Sequence, residues 1–207
     1  MKISYAITVC NEFVEIQKLI PFLLKHKRHE DEIVVLYDIN NGHEGIEQFL
    51  RAKSINGEFA WMSGEFKGHF ADWKNKLNSF CTGDYIFQID ADELPPKYLV
   101  ENLWTISEMN KTVDVYRVPR INTVKGLTQE HIQKWGWGVD NKEQVNFPDY
   151  QWRIYRNDPK IKWVNKVHEV LTGFEVMSEL PPEEEYCLLH HKTIERQEKQ
   201  NNYYNSL

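Results

Sequence analysis

The 207-residue chain holds 31 Asp and Glu against 25 Lys and Arg, a formal net charge of −6 at pH 7. That acidic balance excludes non-specific nucleic-acid binding, which needs a basic footprint, while 41% hydrophobic and 27% charged residues exclude a disordered chain. No apolar run approaches the ~20 residues that span a bilayer, and Met1-Lys2-Ile3-Ser4 opens without the apolar core of a signal peptide, so a cytoplasmic protein with no transmembrane segment is expected, most simply a single domain over 1–207.

Residues 3–10 are rich in Ile, Val, Tyr and Thr and predict a first strand ending at Asn11-Glu12. Asn11 suits a helix N-cap, and Phe13, Ile16, Ile20, Leu23 and Leu24 follow at helical spacing. Pro21 predicts a kink or a second short helix. A strand over 33–37 ends at Asp38, a helix covers roughly 44–53, and a short strand covers 59–62. Phe70, Trp73, Leu77 and Phe80 then define one face of a helix over 70–80. A strand over 85–89 completes an alternation that reads as a doubly wound parallel sheet.

Beyond Pro95-Pro96 the texture changes. A helix over 98–109 and a strand over 113–118 precede the weakly periodic 123–148, which holds Trp135-Gly136-Trp137-Gly138 and reads as a functional loop. Short strands are expected at 151–155, 162–164 and 186–189, followed by His190-His191 and a polar helix to about Tyr204. The three cysteines, Cys10, Cys81 and Cys187, are odd in number and widely spaced, so reduced thiols are expected rather than a disulfide framework.

The most informative stretch is Gly83-Asp84-Tyr85-Ile86-Phe87-Gln88-Ile89-Asp90-Ala91-Asp92-Glu93. An apolar run suited to a strand buried on both faces stops at three carboxylates within four residues. In open parallel sheets ligands gather outside the carboxyl ends of strands. Mg²⁺ or Mn²⁺ takes one or two carboxylates there, together with substrate phosphate oxygens. Asp90 and Asp92 are therefore read as a metal–diphosphate site.

A strand ending in Asn-Glu, a second ending in Asp38, and Lys74-Asn75 ahead of the Asp-Ala-Asp-Glu strand together resemble family 2 glycosyltransferases of the GT-A fold. Asp149-Tyr150-Gln151-Trp152-Arg153-Ile154-Tyr155-Arg156 and Val167-His168-Glu169 look like the branch with lipopolysaccharide-core and peptide glucosyltransferases. The resemblance implies an α/β domain of Rossmann-like type, with a mostly parallel sheet flanked by helices. Residues 1–96 would be its nucleotide-sugar half, and 97–207 a smaller mixed acceptor-side region with the C-terminal helix.

It also implies roles. Thr8, Asn11, Glu12 and Asp38 would hold the base and ribose of a nucleotide sugar, a UDP-sugar by family habit. Lys74 and Asn75 stand where the family has an Arg-Asn pair beside the nucleotide, and Lys keeps the charge but loses the bidentate fork. Asp90 would contact the ribose or the metal shell, and Asp92 would bind Mn²⁺ or Mg²⁺ directly. The acceptor, whether glycan, lipid-linked or protein, is not specified.

Glu169 is the first candidate for the base that takes the acceptor proton in an inverting transfer, and Asp149 is the second. The alternative for either is a salt bridge to a neighbouring Lys or Arg. His190 is a candidate third metal ligand or diphosphate contact, with His191 as its rival because strand register decides which of the two points inward. Arg153 is favoured over Arg156 as a partner of phosphate or of the acidic cluster. Trp135 and Trp137, flanked by glycines, suit a sugar-binding lid. Two rival readings are a nucleotidyltransferase, whose Gly-rich basic loop after the first strand is missing here, and a non-catalytic sugar-binding protein that kept the fold.

Overall fold

A computed structural model describes residues 1–205. Strand β1 (Ile3–Val9) lies at the centre of a parallel block, with β2 (Glu32–Asp38) on one side and β4 (Tyr85–Asp90) on the other, and with β3 (Ala60–Gly64) outside β2. Alternation along these strands divides their side chains between two cores. Ile3, Tyr5, Ile7, Ile33, Val35, Phe87 and Ile89 pack beneath the helices α1 (Phe13–His26), α2 (Glu44–Ser54) and α4 (Lys97–Met109). Ala6, Val34, Leu36 and Ile86 face α3 (Phe70–Asn78) on the opposite side. Each fully buried Ile or Leu contributes about 1.5–3 kcal/mol, and this two-sided burial explains why the strands read as continuous apolar runs.

The expected sheet is present, parallel from β3 to β4 and mixed in the second half, as the resemblance implies. β7 (Asp149–Arg156) pairs antiparallel with β4 and with β6 (Val115–Lys125). β11 (Leu188–Thr193) adds in parallel to β6, and β5 (Glu93–Leu94) closes the order β3-β2-β1-β4-β7-β6-β11-β5, antiparallel to β11. β10 (Met177–Glu179) pairs with β6, while β8 (Lys162–Val164) and β9 (Val170–Thr172) form a separate hairpin. The last helix, α6 (Ile194–Asn205), follows β11 directly.

Several local expectations change. Helix α1 runs unbroken through Pro21. Proline removes the bond to the carbonyl four residues back, here Gln17, and both residues are exposed, so that carbonyl is open to solvent while Ile16, Ile20 and Leu23 stay packed. Asn11 does not cap this helix. The N-cap position is Glu12, without a side-chain bond to the first turn, because its carboxylate turns back to accept from the backbone N–H groups of Cys10 and Asn11 at 2.8 and 3.0 Å.

Phe80 lies beyond the end of α3 and is 42% exposed. The expected long loop is shortened from both sides. β6 continues to Lys125 because its register is held by β7 and β11 together, and Gln129–Trp135 forms a helix, α5, that carries a capping box between Thr128 and His131. Among the described residues no helix is long and apolar enough to cross a membrane.

Candidate active site

Two adjoining clefts open at the carboxyl ends of β1 and β4. The larger, about 440 Å³, extends from Asp90 and Asp92 towards β6, β7 and the inner face of α6. The smaller, about 180 Å³, lies over β1 and α3, where Thr8, Glu12, Lys74, Phe66, Phe70 and Trp73 border it. Asp90, Asp92 and Glu169 belong to both and mark the junction.

Strand register places His190 beside the acids. Leu188–Thr193 pairs His190 with Asn122 on β6 on one side and with Glu93 on β5 on the other. The sequence expectation put both histidines after the strand, whereas they lie inside it and point to opposite faces. His190 is buried and enters the cleft, while His191 is exposed and bonds to the Thr123 hydroxyl.

The resulting hydrogen-bond chain fixes the imidazole. The Asn122 amide NH₂ donates to Asp149 at 2.8 Å, so its carbonyl oxygen faces His190 Nδ1 at 2.7 Å and must accept from it. Nε2 then points at the Asp92 carboxylate 3.2 Å away. Burial pushes the His190 pKa below the ordinary histidine value against the pull of Asp92, so near pH 7 two acceptors, a ring nitrogen and a carboxylate oxygen, face one another. Burial alone would raise the Asp92 pKa, but the contact with His190 and the positive charges of Lys192 and Arg196 hold it well below the carboxylate range.

Two acceptors facing each other across 3.2 Å suit a cation bound between them, and a nitrogen–oxygen donor pair suits Mn²⁺ better than Mg²⁺. The residues therefore fit a divalent ion, with Asn122 orienting the histidine from behind. Among the described residues no group of three His, Cys, Asp or Glu forms a metal cage. Asp90 does not join the pair, because its oxygens lie 2.7 Å from Arg153 and 3.8 Å from Lys74. The remaining coordination would fall to phosphate oxygens and water.

Arg153 is committed to the protein itself. Its guanidinium, 3% exposed, bonds both Glu93 oxygens at 2.7 and 2.8 Å and Asp90 at 2.7 Å. Of the two expected partners, phosphate or the acidic cluster, the side chain meets the acidic cluster. The opposing charges outweigh burial and hold the Asp90 pKa down at about 2. Arg156 lies away from the clefts and pairs with Asp114.

The two base candidates differ in what surrounds them. Asp149 accepts from Arg120 at 2.7 Å, from Asn122 and from Gln151. Burial pushes its pKa up, but Arg120 and these bonds more than offset that and leave it below the ordinary value, which makes it a poor proton acceptor. Glu169 meets Lys74 Nζ at 2.6 Å through one oxygen. It is carried into place by the β8–β9 hairpin, whose Asn165 and His168 adopt left-handed φ values of 77° and 53°. That hairpin is tied to α3 by two bonds between the Asn75 amide and the Trp163 backbone, at 2.8 and 3.0 Å.

Asn11, Asp38 and Asn75 line neither cleft. Asp38 is 2% exposed and accepts from the Asn40 and Phe66 backbone and from the Asn41 amide, which shapes the loop after β2. Sequence reasoning missed Arg120, Asn122, Lys192 and Arg196. Arg196, on α6, reaches Glu12 at 3.1 Å, Glu15 at 2.7 Å and Asp92 at 3.4 Å. No local motif marks these residues, because each meets its partners only through the sheet order or across the whole chain.

The sequence model described as Glycosyl transferase family 2 matches residues 4–166. Among solved structures, S. aureus TarS 1-349 is similar in fold, with a TM-score of 0.62 at 15% identity over 92% of this chain and 60% of that one. TarS 1-349 in complex with UDP-GlcNAc gives 0.61 at 16% identity, over 93% and 59% of the two chains, and its UDP complex gives 0.60 at 16%, over 92% and 60%. The chain thus spans about 60% of the length of these relatives. No curated protein sequence matches it significantly.

Proposed function

The chain belongs to glycosyl transferase family 2, and on that premise we propose that it moves a sugar from a nucleoside-diphosphate sugar to an acceptor hydroxyl, with inversion and with a divalent ion at Asp92 and His190. The observation that carries this reading is the facing pair of acceptors, Asp92 and neutral His190, at the junction of two clefts. UDP is the favoured nucleotide, supported by the UDP-GlcNAc and UDP complexes of the similar TarS fold.

In this reading the smaller cleft takes the nucleoside. Phe66, Phe70 and Trp73 supply its apolar wall, and Thr8 and Glu12 its polar edge. A bound Mn²⁺ or Mg²⁺ would neutralise charge on the departing diphosphate. Lys192 and Arg196 stand on the same side and add positive charge there. The acceptor oxygen bonds to the anomeric carbon from the larger cleft as the bond from that carbon to the diphosphate oxygen breaks, with its electron pair leaving on the diphosphate. The acceptor proton passes to the oxygen of Glu169 that Lys74 does not hold. Lys74 orients that carboxylate and bridges it towards Asp90.

The nucleotidyltransferase reading is disfavoured at one place. The N–H groups after β1, which would grip a triphosphate, are already filled by the Glu12 carboxylate. The test is incubation with Mn²⁺ and single nucleotide sugars. Slow release of UDP from a UDP-sugar supports the transferase, triphosphate cleavage supports the rival enzyme, and binding without turnover supports a non-catalytic protein.

A further inference from the structure

Besides the charged groups around Asp92, the larger cleft has an uncharged part to its lining. Its wall includes the half-buried indole of Trp137 and the side-chain amides of Gln151, Gln197 and Asn201.

Trp137 is not on a loose lid. Helix α5 ends at Gly136, which adopts the left-handed φ of 63° that glycine tolerates at a helix end. The Trp137 N–H then bonds back to the Ile132 carbonyl at 3.0 Å. The next residue, Gly138, is held twice by Asn146, through its N–H at 2.8 Å and its carbonyl at 2.8 Å. Trp137 also leans on Trp135, with ring centroids 4.6 Å apart, and Trp135 stacks on His131. An aromatic ring lining a cleft from a backbone pinned this firmly is pre-organised for a flat apolar partner.

The amides of this lining are uncharged and half-used. Gln151 donates to Asp149 at 2.7 Å, which leaves its carbonyl oxygen without a bond from a described residue. Gln197 donates to Asn201 at 2.9 Å, which leaves one acceptor on Gln197 and one donor pair on Asn201. A mixture of open donors and acceptors matches hydroxyl groups, which do both. A polyanion would need unpaired cations. Arg120 is held by Glu93 and Asp149, which leaves Lys192, bonded to the neutral Gln200 amide, as a single cation that the diphosphate would take.

We propose that this uncharged part of the larger cleft is an acceptor subsite for a neutral carbohydrate, with Trp137 covering the C–H face of one sugar ring and Gln151, Gln197 and Asn201 bonding its hydroxyls. The assignment rests on the glycosyltransferase reading and narrows its acceptor to an uncharged glycan.

The probes are cellobiose, maltotriose and N,N′-diacetylchitobiose, read by saturation-transfer NMR against the intact protein, with UDP plus Mn²⁺ titrated in parallel. Ring-proton signals from at least one glycan are expected, weakened tenfold or more by Trp137→Ala and largely kept by Trp137→Phe. The melting temperature of each variant checks its fold, and Gln197→Ala, which lies on a different element, serves if the tryptophan variant fails to fold. The subsite is overturned if UDP binds and no glycan does, if Trp137→Ala binds glycan as well as the natural chain, or if heparin or phosphatidylcholine vesicles displace the glycan from it. Glycan binding without any UDP binding would keep the subsite and defeat the transferase reading instead.

Discussion

The ammonium of Lys74 stands 2.6 Å from Glu169 at the joint of the two clefts, with the Trp163 ring 4.5 Å beneath it. The cation is 4% exposed, so it holds one carboxylate oxygen in a fixed direction and leaves the other for a proton. Glu169→Gln keeps the shape and removes the basic oxygen. Transfer is expected to fall about 10²–10⁴-fold while the UDP dissociation constant changes by no more than a few-fold, read from steady-state rates and a UDP titration. Undiminished transfer would return the base role to Asp149.

Asp92 and His190 give a separate prediction. Thermal shift with UDP, run with and without Mn²⁺, is expected to show metal-dependent stabilisation of the natural chain, of about 2.7 kcal/mol when ligand stands at a hundred times its dissociation constant. Asp92→Ala is expected to lose the metal-dependent part while melting cooperatively. An unchanged Mn²⁺ response in that variant would remove the ion from this position.

Arg153 links the buried Glu93 to Asp90 at the cleft floor, and Glu93 would be left buried without its main partner if Arg153 were removed. Breaking such a buried pair from one side costs about 3–5 kcal/mol. Arg153→Met is therefore expected to lower the unfolding free energy from urea titration by that amount, whereas the exposed Arg51→Met, which breaks a surface pair with Glu47 and a ring contact with Trp61, is expected to change stability by less than about 1 kcal/mol. Equal effects would contradict the structural role assigned to Arg153.

Glu32 offers a pH test away from the site. Burial raises its pKa, but bonds from Lys2, Ser4 and the Thr82 backbone and hydroxyl hold it down at about 2, below the ordinary 4.5. A lowered folded-state pKa means that the unfolded chain binds the proton more readily. Its stabilisation is thus complete above pH 4.5 and is lost as pH falls towards 2. Melting temperature measured across that window is expected to drop less steeply in Glu32→Gln than in the natural chain, and parallel curves would show that other carboxylates dominate.

Much of the first half was legible because its signals are local. Strands buried on both faces read as apolar runs, and α1 and α3 carry their apolar stripes in contiguous sequence. The Asp-Ala-Asp cluster marked the end of β4 without any tertiary information. Pro21 misled because propensity describes an isolated helix, whereas exposure of Gln17 and Pro21 lets the packed face prevail. For Arg153 the sequence left phosphate and the acidic cluster both open, because its partners lie 60 and 63 residues away and meet it only after folding.

The sequence by itself determined the kind of fold and the position of the acidic strand end, because hydrophobic period and motif both act over a few residues. Tertiary structure alone decided that His190 rather than His191 enters the cleft, that Asn122 sets its tautomer, that Arg153 serves the acids, and that Arg196 reaches Asp92. Each of these depends on strand register or on contacts 27 to 104 residues apart. A register shift of one residue reverses every side chain on a strand, and no local pattern carries that information.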